Sequence, residues 1–78
     1  MREMLNAVPV LTRLLNVRPD LVRAHTKYKV GDIGKYCFMA PASKTGAGRN
    51  RYYIMRADIP KVLHRELTEK EEALIDAI

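Results

Sequence analysis

The chain of 78 residues has one cysteine, Cys37, which excludes an internal disulfide and any multi-cysteine zinc site. Cys37 stands among apolar residues of a predicted strand, where a buried and inert thiol is expected. A lone thiol fits a reducing, cytoplasmic location. No apolar run approaches the ~20 residues that a membrane-crossing helix needs, so no membrane partner is expected. The apolar stretch Ala7 to Leu15 is broken by Thr12 and Arg13 and is followed by no cleavage site, so it does not read as a signal peptide. Catalytic signatures are missing too. No Ser or Cys has a His–acid set nearby, and no carboxylates are paired in the apolar region, so an enzyme is not expected. Gly46-Ala47-Gly48 lacks the six-residue dinucleotide pattern and a following helix, and Lys44 precedes it instead of following it. His25 and His64 lie far apart with no ligand spacing, so neither a metal nor another cofactor is expected.

Acidic residues are absent from Lys35 through Ala57. Residues 1–61 hold twelve Lys/Arg against four acids, a balance of +8, and residues 62–78 hold two against five, a balance of −3, giving the net +5. A basic body with an acidic end suits nucleic-acid binding by the body and another role for the tail. The 47% hydrophobic share is that of a globular chain and argues against disorder throughout. The length fits one small domain, 1–78, whose core supplies roughly 3–5 kcal/mol of net stability, with no room for a large cleft.

Local signals give an order of elements. Asn6 is a candidate cap for a first helix, with Pro9 in its opening turn. Val10, Leu11, Leu14 and Leu15 recur at helical spacing and mark its buried face. Asn16 tolerates the left-handed conformation that ends helices. Pro19 presets the first turn of a second helix, and Asp20 suits its positive end. Leu21, Val22 and His25 or Thr26 form the inward stripe, which turns Arg18, Arg23 and Lys27 outward. Val30 to Gly34, with two glycines, reads as a turn. Two β-type runs follow, near 35–39 and 51–55, joined by a Gly-bearing loop with Lys44, Arg49 and Arg51 at its tip, which is the pattern of a hairpin. Asp58 caps a third helix with Pro60 in its first turn. Thr68-Glu69-Lys70-Glu71 is a capping-box pattern that opens a last helix near 68–78. That helix carries Leu74, Ile75 and Ile78 on one side, and these either pack on the core or meet a protein partner.

With Leu15-Asn16-Val17 between the two helices and Arg56-Ala57-Asp58-Ile59 opening the third, the chain resembles the excisionase and AlpA-type proteins of phages and other mobile elements. Their small winged-helix domain is related to that of MerR regulators. The resemblance covers about residues 7–65, with Asn16 where that group has glycine. It implies an α+β winged helix-turn-helix: two short helices, a β-hairpin wing, then one or two C-terminal helices. It also implies double-stranded DNA binding, with the second helix in the major groove and the wing in the adjacent minor groove. Arg18, Arg23 and Lys27 from the helix, and Lys44, Arg49 and Arg51 from the wing, are then the candidate DNA contacts. The implied role is a recombination directionality factor or a small transcription regulator. Its implied partners are DNA, a site-specific recombinase and further copies on adjacent sites. Two other classes fit the charge pattern: a phage-encoded inhibitor or adaptor whose basic face meets an acidic protein, and a single-stranded nucleic-acid or RNA-binding module using Tyr52, Tyr53 and the basic hairpin.

Overall fold

A computed structural model describes residues 3–40 and 51–78. Its elements are β1 (Met4–Asn6), α1 (Ala7–Leu15), α2 (Pro19–Tyr28), α3 (Gly31–Tyr36), β2 (Cys37–Ala40), β3 (Arg51–Met55), a 3-10 turn (Arg56–Asp58), α4 (Ile59–Leu63) and α5 (Glu69–Asp76). The class is α+β: helices pack on an antiparallel three-stranded sheet of order β1-β3-β2. Cys37 faces Ile54 and Phe38 faces Tyr53 across β2 and β3, while Leu5 faces Ile54 across β1 and β3. Lys44 and Arg49 lie outside the described residues. No helix among those described is long and apolar enough to cross a membrane.

Helix ends follow their local chemistry. Asn16 ends α1 at φ 55° in the left-handed region, which Asn tolerates because its short side chain relieves the steric conflict. Lys29 ends α2 at φ 55°, without that advantage, and His64, a residue type also found there more often than most, ends α4 at φ 60°. Asn6 precedes α1 and Asp58 precedes α4, but neither side chain bonds a helix amide. The Asp58 carboxylate instead lies 3.2 Å from the Lys61 ammonium. Thr68 does cap: its Oγ1 accepts from the Glu71 amide at 3.2 Å, and the Glu71 carboxylate accepts from the Thr68 amide at 2.9 Å.

Leu11, Ile54, Ile59, Val10 and Val22 are the largest fully buried side chains. They bring α1, α2, α4 and the central strand to one core, which Ile33 of α3 and Ile75 of α5 extend. Each such aliphatic side chain contributes roughly 1.5–3 kcal/mol of burial free energy.

Two elements differ from the sequence expectation. Residues 31–36 form α3 where two glycines read as a turn. Gly34 is what permits that helix: a Cβ there would stand 2.4 Å from the Lys29 carbonyl carbon and 2.6 Å from the His25 carbonyl oxygen. Gly31 takes φ +60°, so it supplies the turn by itself as the helix begins. Consequently β2 begins at Cys37, not at Lys35. The other difference is β1, three residues whose apolar pattern is too short to register as a strand.

Charged side chains tie α5 down. Arg56 donates to Glu3 at 2.8 Å, to Asp76 at 2.8 Å and to Glu72 at 2.7 Å. These three carboxylates raise the Arg56 pKa, fixing it as a cation. Arg65 grips Glu71 with two bonds of 2.6 and 2.7 Å.

Candidate nucleic-acid interface

α2 presents the main cationic surface. Val22 and Thr26 are buried on its inner side, where the Thr26 hydroxyl donates to the Val22 carbonyl at 2.8 Å and is thereby satisfied. Arg23 and Lys27 on the helix, and Arg18 just before it, are exposed. Arg18 precedes the helix in extended conformation, and its carbonyl accepts from the Leu21 and Val22 amides at 3.1 and 3.4 Å. Arg23 pairs with Asp20 at 3.1 Å, yet the Asp20 side chain is 92% exposed. A pair so open to water contributes at most about 1 kcal/mol, so an anionic ligand can displace it. The Lys27 ammonium lies 5.4 Å from the centroid of the Tyr28 ring.

Beyond the end of α2 the cationic surface turns into an open groove of about 690 Å³, bounded by α2, α3 and β2. Lys27, Lys29 and Lys35 line it, together with Phe38 and Met39, and among the described residues no carboxylate does. Asp32, the acid between Lys29 and Lys35 in sequence, is engaged by His64 Nε2 at 2.6 Å. Lys29 owes its place in the groove to the left-handed turn after α2, and Lys35 owes its place to α3. Sequence reasoning missed both as site residues: each was visible as a lysine, but its position depends on the turn and on a helix that reads as a loop. Lys35 and Lys61 stand 5.4 and 5.8 Å from the Tyr36 ring centroid, which draws cations of α3 and α4 to one aromatic ring.

The remaining candidates fall elsewhere. Arg51 is exposed at the start of β3, opposite Ala40, and lines a second pocket with Tyr53, Met4 and Ile78, not the lysine groove. Lys44 and Arg49 are among the residues outside those described. In α5, Ile75 is 4% exposed within the core, Leu74 is half-buried, and Ile78, just past the helix, is 44% exposed.

Tyr52 packs partly against the core, and Tyr53 is half-buried in a cross-strand contact with Phe38. The Cys37 thiol is pushed up to about 11, chiefly by burial, which leaves it a weak nucleophile. Among the described residues no group of three or more His, Cys, Asp or Glu is placed to hold a metal ion.

Compared with known proteins, the chain matches no family model, no curated protein and no solved structure.

Proposed function

We propose that this chain binds double-stranded DNA as a winged helix-turn-helix protein, with α2 in the major groove and the β2–β3 hairpin directed to the adjacent minor groove. The observation that carries the reading is the exposed cationic side of α2 leading directly into the lysine groove. An α-helix with its side chains is about 10–12 Å across and the major groove is about 12 Å wide, so α2, about 15 Å long over its ten residues, can lie in the groove with its outward side chains reaching base edges or phosphates. Arginine at Arg18 or Arg23 can bond guanine through two N–H groups, whereas Lys27, Lys29 and Lys35 act as point charges toward phosphate. The left-handed turn at Asn16 sets α2 against α1, as a helix-turn-helix requires. An excisionase-type directionality factor or a small regulator of a mobile element is the role this arrangement suits, with a site-specific recombinase and adjacent DNA-bound copies as partners.

The test is fluorescence anisotropy with a random-sequence duplex at two salt concentrations, comparing the native chain with an Arg18→Gln, Arg23→Gln, Lys27→Gln variant. Removing one cation that neutralises a phosphate lowers the salt slope by about one unit, so the variant is expected to lose up to ~3 units. An unchanged slope would move the interface off α2, and no binding at low salt would remove the DNA reading.

A further inference from the structure

The groove beside β2 holds more than cations. Phe38 and Met39 line it and are 39% and 38% exposed, and Tyr28 and Val30, which flank Lys29 in sequence, are 67% and 47% exposed. Four of the six large hydrophobic side chains left exposed among the described residues therefore lie in the groove or at the turn that supplies its lysine. A paired duplex offers phosphates and sugars to such a surface but keeps its base faces inside the stack. An unpaired nucleotide offers both a phosphate and a flat π-face.

The strand that carries Phe38 favours this ligand. Among the described residues β2 pairs only with β3, so its other side borders the groove as a sheet edge. The Phe38 ring is backed by Tyr53, with centroids 6.0 Å apart and planes inclined by 37°. That packing restricts the ring before any ligand arrives, which lowers the entropy cost of stacking.

We propose that this groove is a seat for an unpaired nucleotide, with Phe38 stacking on the base and Lys29 and Lys35 holding the flanking phosphates. The proposal rests on the DNA reading of α2: the duplex held by that helix would be unstacked at the step beside β2. Unstacking a paired step costs free energy that a bulge has already supplied, so the seat predicts a preference for bulged DNA.

The experiment compares a random-sequence duplex with the same duplex carrying one central unpaired adenine, both by anisotropy. The native chain is expected to bind the bulged duplex on the order of tenfold tighter, the scale of one base–aromatic stack. Phe38→Ala should bring the two affinities together, and Phe38→Tyr should restore the preference. Lys29→Gln with Lys35→Gln should weaken bulged-duplex binding. Thermal melting of each variant establishes that it is folded, as expected for changes at exposed positions. Replacing the unpaired adenine by 2-aminopurine gives a second readout, because leaving the quenching base stack for the Phe38 seat raises its fluorescence in the native complex and not in Phe38→Ala. Equal affinity of the native chain for both duplexes, or a preference that survives Phe38→Ala, would overturn the seat and leave the duplex reading standing. Binding to neither duplex would instead overturn the DNA reading on which the seat depends.

Discussion

Replacing Gly34 by alanine tests the packing that creates the lysine groove. The added Cβ would lie 2.4 Å from the Lys29 carbonyl carbon and 2.6 Å from both the His25 carbonyl oxygen and the Lys29 Cα. Ordinary separation between such atoms is about 3.5 Å, so the intrusion is roughly 1 Å. All three atoms are backbone, so no rotamer change relieves the clash, and α3 must shift away from the end of α2. Overpacking of this kind costs roughly 1–3 kcal/mol, and an entirely backbone obstacle argues for the upper end. Alanine's better helix propensity returns up to about 1 kcal/mol, leaving a net loss near 2 kcal/mol. For a chain of this size each kcal/mol is worth about 4–8 °C, so Tm should fall by roughly 10–15 °C. Circular dichroism melting, with a urea midpoint beside it, measures this directly. Gly31→Ala is the informative companion, because nothing lies within 4 Å of its added Cβ and only φ +60° opposes it. It should cost about 1–2 kcal/mol, and Gly31→Asn should recover part of that, since asparagine tolerates the left-handed region. A Gly34→Ala Tm within about 2 °C of the native value would refute the close approach of α2 and α3.

Three further outcomes are expected. Lys29→Gly removes a left-handed non-glycine residue worth about 1–2 kcal/mol of strain, less about 0.5–1 kcal/mol for glycine's greater unfolded freedom. Stability should therefore rise while duplex affinity falls; a fall in both would mean Lys29 is held by its neighbours and not merely displayed. Arg65 and the Thr68 amide lower the Glu71 pKa from 4.5 to about 2, so this carboxylate stabilises the fold above pH 4.5. That contribution is lost as pH falls through about 2, and Glu71→Gln should flatten the Tm–pH profile between these values; an identical profile would refute the assignment. The buried Cys37 should react slowly with a disulfide reagent in native buffer and at the rate of a free thiol in denaturant. Equal rates would show the strand to be open.

The legible part of this chain is that governed by short-range chemistry. Asn16, Pro19, Pro60 and the Thr68–Glu71 pair act within one helical turn, so their roles at helix ends need no distant partner. The periodicity of Val10, Leu11, Leu14 and Leu15 likewise marks which side of α1 faces inward. The exposure of Arg23 and Lys27 follows from the register that Val22 and Thr26 set for α2, and that of Arg18 from its place just before the helix. The balance of +8 over residues 1–61 marks a basic body but does not place its groove.

What the sequence determined alone was therefore the α+β order of its main elements, the helix boundaries set by Asn16, the prolines and the Thr68–Glu71 pair, and the presence of a basic body with an acidic end. Tertiary structure decided the rest, because the deciding interactions join residues far apart in the chain. Met4–Asn6 became a strand only by pairing with Met55, Ile54 and Tyr53. Gly34 had to be glycine because α2 passes too near for any side chain, a fact about space and not about propensity. Lys29 and Lys35 came to share one groove with Phe38 because a left-handed turn and that close helix approach bring them there. Ile75 went to the core, while Arg56 gathered carboxylates from residues 3, 72 and 76, since only the folded chain places both ends beside β3.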